Sequence, residues 1–153
     1  MTVYLAGEKD IQPAAGLDDH IPLTRLSDCI RDGHVYLLSD GPDKNISGDY
    51  EKNGSDVIGI LRYGLLWQTL PFLELLYIDG KYRGKGYGTA MLRKWECDML
   101  DMGYKYTLTS TMACETAWRF YEKYGYRKTG GFFPPEQDSE EYIYVKELVR
   151  HIW

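Results

Sequence analysis

The chain has 153 residues, 44% of them hydrophobic, with three cysteines and a formal charge of −5; it reads as one domain, 1–153, large enough for a real core. Its acidity argues against nucleic acid as the main partner, and no run of roughly 18 apolar residues or basic-then-apolar leader points to a membrane, so a cytoplasmic protein is expected. Cys29, Cys97 and Cys114 are too scattered for a disulfide framework, and no Cys/His cluster has zinc spacing, so no metal is expected.

Residues 2–6 alternate and read as a first strand. Residues 10–20 are broken by Pro13 and Gly16, whereas 22–31 carry Leu23, Leu26 and Ile30 at helical spacing. A second strand covers 34–38, a polar connecting loop 41–55, and a third strand 57–63. A turn over 64–71 leads to a fourth strand, 72–78, so strands two to four should form an antiparallel meander. The fourth strand is nearly all apolar, as for a strand covered on both faces. Glu74 interrupts it, and a carboxylate there has to be solvated or paired.

A helix over 88–102 follows, with Met91, Leu92, Trp95, Met99 and Met102 at its apolar positions and Gly103 as a left-handed cap. Residues 105–109 form a fifth strand, parallel to the fourth if that helix is the crossover. Ser110 or Thr111 should cap another helix, with Ala117, Phe120, Tyr121 and Tyr124 on one face and Gly125 at its end. Residues 126–129 and 142–148 are the last strands. The loop between them holds Gly130 to Pro135 and the acids of 136–141.

The junction of the fourth strand and the long helix carries the chemistry. Glycines let backbone approach a ligand, and the first N–H groups of a helix lack internal partners while sitting at the positive end of the dipole. A phosphate placed there satisfies them. No Gly-Lys-Ser/Thr follows in the register of a P-loop, and a dinucleotide fingerprint would need Gly or Ala at Thr89. What remains is Arg-x-x-Gly-x-Gly across Arg83, Gly86 and Gly88. Residues 81–128 hold ten Lys/Arg against five acids, a local +5 that leaves −10 for the remainder. That asymmetry suits an anionic cofactor and a cationic acceptor.

Arg83 to Gly88 resembles motif A of the GNAT superfamily, the Gcn5-related N-acetyltransferases, which binds the pyrophosphate of acetyl-CoA. Residues 115–126, with Ala117, Phe120, Tyr121, Gly125 and Tyr126, are similar to the family's Ala-x-x-Phe-Tyr-x-x-x-Gly-Phe segment, with Tyr126 in place of the final Phe. The resemblance covers roughly residues 57–129 well. It implies an α/β (α+β) fold: a mixed, mostly antiparallel sheet of six or seven strands flanked by helices, splayed at strands four and five, where the pantetheine arm lies. The activity implied is acetyl-CoA-dependent N-acetylation of an amine by direct attack in a ternary complex.

By the same resemblance Arg83, Gly84, Lys85, Gly86, Tyr87, Gly88 and Thr89 take the pyrophosphate, and Leu76, Tyr77 and Ile78 offer backbone to the thioester and arm. Cys114 and Ala117 border the arm, although the family often has Asn where Cys114 stands. Glu74 is the candidate base and Tyr121 the candidate acid toward the thiolate. Glu8, Asp10, Asp18, Asp19 and the 136–141 acids are candidate contacts for a small cationic amine. His20, His34 and His151 have no motif context. A non-catalytic acyl-CoA-binding module, a nucleotide-phosphate binder and an acetyltransferase of protein N-termini or lysines stay open as rivals, as does a homodimer.

Overall fold

The computed structural model describes residues 1–41 and 56–150; most of the expected polar loop, 42–55, and His151 lie outside the described residues. Among the described residues seven strands form one mixed sheet in the order β1-β2-β3-β4-β5-β7-β6. They are β1 (Thr2–Leu5), β2 (Val35–Ser39), β3 (Val57–Leu66), β4 (Leu70–Ile78), β5 (Tyr106–Met112), β6 (Arg127–Phe132) and β7 (Glu141–Glu147). The helices are α1 (Ile11–Ala15), α2 (Leu23–Arg31), α3 (Tyr87–Asp101) and α4 (Ala117–Lys123). The chain divides into two compact units: Met1–Tyr63 with Leu75–Trp95, and Gly64–Glu74 with the chain from Glu96 onward.

In the first unit β2 pairs antiparallel with both β1 and β3, with Val3 opposite Leu38 and Leu37 opposite Ile60. Leu26 and Ile30 of α2 pack with Ala14, Val35, Leu37 and Ile60 in one buried cluster. Residues 8–20 are more ordered than their breakers suggest. Pro13 lies in the first turn of α1, where the missing N–H has no helical partner to lose. Met91, Leu92 and Trp95 of α3 are fully buried, and the Tyr63 ring lies 5.6 Å from that of Trp95. A buried ion pair joins Arg62 Nε to Asp18 Oδ2 at 2.7 Å.

In the second unit the start of β4 pairs parallel with β5, Phe72 opposite Leu108 and Leu73 opposite Thr109. β7 lies antiparallel between β5 and β6. Helix α3 ends as expected, with Gly103 at φ +98 and the Tyr104 N–H donating to Met99 O at 3.0 Å, the paired closure of a left-handed cap. Met102 is exposed, because it stands beyond the last residue of α3.

Several boundaries differ from expectation, each for a local reason. Gly64 lies inside β3, and the chain reverses only at Trp67 and Gln68, both left-handed at φ 54 and 63. Two such residues make the hairpin turn whose twist matches its strands. Ser110 and Thr111 belong to β5, and the residue that opens α4 is Thr116. Gly130, Gly131 and Phe132 extend β6 past a register shift instead of forming a loop. On α4, Tyr121 is buried and Phe120 and Tyr124 half-buried, but Ala117 is exposed, so the buried face is narrower than the sequence spacing suggests.

Candidate active site

In the first unit the end of β4 runs into a short 3-10 turn, Gly80–Tyr82, capped by Asp79, whose carboxylate accepts the Lys81 N–H at 3.2 Å. The Asp79 N–H is itself tied to Ile58 O at 2.8 Å, which fixes the exit of the strand. Arg83 folds back: its Nε donates to Ile78 O at 2.9 Å, and its guanidinium carbon lies 5.3 Å from the centre of the Tyr77 ring. That uses one of five donors and holds the positive charge beside the strand end. The Lys85 ammonium lies 5.6 Å from the centre of the Tyr82 ring.

Between these two cations the backbone turns through Gly84 at φ +76 and Gly86 at φ +83. A Cβ at either position would meet no atom within 4 Å. Both glycines are therefore required by backbone conformation, and the space above them is open. The first helical bond of α3 runs from Ala90 N–H to Gly86 O at 3.1 Å, so the preceding turn belongs to the set of N–H groups that no helical carbonyl reaches. Leu76, Tyr77, Ile78, Tyr87, Gly88 and Thr89 are half-buried around the exposed Arg83–Gly86 stretch. A glycine turn with open space over it, two cations and a helix N-terminus fits a pyrophosphate.

In the second unit Tyr121 is buried, its ring edge-on to Phe120 at 5.2 Å and to Tyr126 at 5.5 Å. Its hydroxyl hydrogen-bonds the Thr109 side chain. Thr109 Oγ1 already donates to Leu73 O at 3.0 Å, so the phenol is the donor in this pair. Burial pushes the Tyr121 hydroxyl up to about 12. The tyrosine thus stays a neutral O–H donor at any ordinary pH.

Beside it lies a group that the motifs did not point to. Glu96 is buried, accepts the Tyr126 hydroxyl at 2.7 Å and pairs with Lys146 Nζ at 2.8 Å. Thr107 Oγ1 lies 2.9 Å from the same Tyr126 oxygen. Burial, then the charge of Glu96, raises the Tyr126 hydroxyl far above its ordinary value. The signal was Tyr126 itself, standing where the family motif has Phe.

Glu74 is exposed on β4. Its Oε1 lies 2.7 Å from where a Cβ at Gly64 would stand. The two residues, with Leu65, Leu66 and Phe72, line an open cleft of about 280 Å³. Cys114 is exposed at the turn before α4, its N–H donating to Ser139 Oγ at 3.1 Å.

The acids expected to meet an amine are mostly engaged elsewhere. Asp18 is buried against Arg62 and accepts the His20 N–H, Asp10 accepts the Gly7 N–H, and Glu8 pairs with Arg31. Glu141 accepts Gln137 Nε2 at 3.0 Å. Asp18 and Asp10 are therefore structural, because each is enclosed by the chain it holds together. His34 stacks on Tyr63 at 4.6 Å, and His20 lies beside Asp18 and Asp19. Among the described residues no three His, Cys, Asp or Glu side chains gather as a metal site would need, and no helix is long and apolar enough to cross a membrane.

The fold is similar to that of Ard1 from Thermoplasma volcanium, at 18% identity and a TM-score of 0.75 over 97% of this chain and 98% of that one. It is also similar to the ribosomal-protein-S18-alanine N-acetyltransferase from Escherichia coli, at 13% identity and a TM-score of 0.74, covering 98% and 95%. A third similar structure is N-acetylglutamate synthase from Neisseria gonorrhoeae, complexed with coenzyme A and N-acetyl-glutamate, at 15% identity and a TM-score of 0.69, covering 97% of this chain and 35% of that one. No curated protein sequence matches significantly. Residues 16–126, which include both the glycine turn and Tyr121, match the acetyltransferase (GNAT) family, and the chain belongs to that family.

Proposed function

We propose that this chain is an N-acetyltransferase that moves the acetyl group of acetyl-CoA to the primary amine of a small cationic molecule by direct attack. The observation that carries the reading is the turn at Gly84 and Gly86, left-handed and open above, at the head of α3. Acetyl-CoA, when bound, supplies an acetyl thioester, an activated acyl donor.

In this reading Arg83, Lys85 and the backbone of Gly84–Thr89 hold the pyrophosphate. Backbone N–H at Tyr77 or Ile78 polarises the thioester carbonyl, while Leu76, Cys114 and Ala117 flank the arm. The amine nitrogen forms a bond to the acetyl carbon as the carbon–sulfur bond breaks. Glu74, exposed on β4, passes the amine's proton to water. Tyr121 faces the thiolate, but not as a full proton donor. A phenol held near 12 is more than three units less acidic than an ordinary thiol near ~8.5, so complete transfer would be uphill. It donates a hydrogen bond that strengthens as charge develops on sulfur, and such a bond lowers the barrier more than it tightens binding.

The test is acetyl-CoA against a panel of amines, read by thiol release. Turnover of at least one cationic amine is the expected result. Tight CoA binding with no turnover on any amine would favour the binding-module reading, which the existing bond from Tyr121 to Thr109 would then explain. Equal affinity for ATP and CoA would overturn the cofactor assignment.

A further inference from the structure

Thr107, Thr109 and Thr111 share one face of β5, because side chains along a strand alternate. All three are buried, at 0%, 1% and 5% exposure. Thr107 Oγ1 lies 2.9 Å from the Tyr126 hydroxyl, and Thr109 Oγ1 donates to Leu73 O and hydrogen-bonds Tyr121. Thr111 Oγ1 is enclosed as well, but it has no hydrogen-bond partner among the described residues. A hydroxyl left in that state costs stability that an apolar group of the same shape would not. Within this unit the last pair of β4 with β5 is Leu73 with Thr109, and β5 runs on to Met112 against β7. The chain then turns, pinned by Ala113 N–H to Glu140 O at 2.8 Å and by Cys114 N–H to Ser139 Oγ at 3.1 Å. Thr111 therefore stands between Thr109, where Tyr121 is bonded, and the turn that carries Cys114.

We infer that Thr111 is a binding residue for the acyl carrier, and that its hydroxyl bonds the amide of the arm nearest the sulfur when acetyl-CoA binds. This rests on the acetyltransferase reading given above, in which Tyr121 faces the sulfur while Cys114 and Ala117 flank the arm. An arm lying along that line passes Thr111 on the way. Two methylenes separate its sulfur from its first amide, a span of the same order as the roughly 6.6 Å between successive side chains on one strand face. The amide offers both a carbonyl and an N–H, and a hydroxyl can bond either. One rotation about χ1 exchanges the Thr111 hydroxyl with its methyl, so the oxygen can turn from its enclosed position to a ligand without moving the strand. The amide takes no part in the bond changes, so this contact is equal in ground and transition states. It tightens binding and leaves kcat alone.

The test is calorimetry on wild type, Thr111→Val and Thr111→Ser with two probes: CoA, and adenosine 3′-phosphate 5′-diphosphate, which has the pyrophosphate of CoA but no arm. Valine keeps the shape of the side chain and removes the hydroxyl. We expect Thr111→Val to bind CoA roughly 3–10-fold more weakly, the scale of one neutral hydrogen bond. Its affinity for the nucleotide should match that of wild type. The same variant without ligand should melt about 2–4 °C higher, because an unpartnered buried hydroxyl has gone. Thr111→Ser keeps a hydroxyl and should restore CoA affinity. CoA affinity indifferent to Thr111→Val, or CoA and nucleotide weakened alike, would overturn the assignment while the cofactor reading stands. A lower melting temperature with unchanged CoA affinity would also overturn it, giving the hydroxyl to a buried water instead. Wild type that bound neither probe would overturn the acetyltransferase reading, and this assignment with it.

Discussion

The glycine turn before α3 and the β3–β4 hairpin meet the same backbone demand with opposite residues. In the turn, Gly84 and Gly86 hold the two left-handed positions, where glycine has no side chain to strain. In the hairpin, Trp67 and Gln68 hold them, and the hairpin's glycine, Gly64, sits in extended backbone instead. The difference teaches that a glycine required by conformation announces itself in sequence, whereas one required by space does not. Gly59 is a second example of the silent kind: a Cβ there would stand 2.7 Å from Ile78 Cδ1 and 3.1 Å from Met91 Sδ.

The largest effect should come from a residue outside both regions, which calibrates them. Tyr121→Phe keeps the ring and its packing and removes the donor. Steady-state kinetics should show kcat down roughly 10²–10³-fold, the scale for losing one donor to developing charge, with CoA affinity little changed. A variant that kept wild-type kcat would reduce Tyr121 to packing.

The same residue makes a pH prediction. Below pH 10 Tyr121 is protonated in both folded and unfolded states and contributes no pH dependence. Between 10 and about 12 the unfolded chain releases this proton while the folded chain keeps it, so stability falls across that window. Two units correspond to roughly 3 kcal/mol. Denaturant melts at pH 9 and 11 should show a smaller drop for Tyr121→Phe than for wild type.

Smaller effects separate the two glycine regions directly. Gly86→Val forces a β-branched residue into φ +83, costing about 1–2 kcal/mol where the turn must be formed. Calorimetry should show CoA binding about tenfold weaker, with the fold intact because a Cβ there meets no atom within 4 Å. Smallest of all is Trp67→Asn with Gln68→Gly, which supplies the residues this hairpin turn prefers. It should stabilise by up to about 1 kcal/mol and raise Tm by about 2–4 °C. A fall in Tm would mean that Trp67 makes contacts that outweigh its strain.

These contrasts also mark what could be read without coordinates. Residue periodicity was enough for α3, because four of its five apolar positions are buried, and for the parallel crossover to β5. The left-handed turn at Gly84 and Gly86 was legible because its requirement is local: glycines at fixed spacing. Gly64 was misread as a turn because glycine usually punctuates strands, and nothing nearby in sequence shows a carboxylate arriving from β4. Asp18 was misread as a free acid because its partner Arg62 is 44 residues away. The bond from Tyr121 to Thr109, and the Glu96–Tyr126–Lys146 group, depend on strand pairing that composition cannot express.

The two units also carry different chromophores. Trp95 of the first unit is fully buried, and its indole N–H has no hydrogen-bond partner among the described residues. Trp67 of the second stands 78% exposed at the hairpin tip. An indole in dry, apolar surroundings emits at shorter wavelength and is shielded from iodide, while one in water emits to the red and is quenched. Of the four tryptophans, Trp95 should therefore emit to the blue and be protected, and Trp67 to the red and be quenched, as variants that keep one of them at a time would show. During unfolding, the blue component reports when water reaches the core beneath α3. If it is lost at a lower denaturant concentration than the backbone signal of the remaining strands, the chain comes apart in stages and not in one cooperative step.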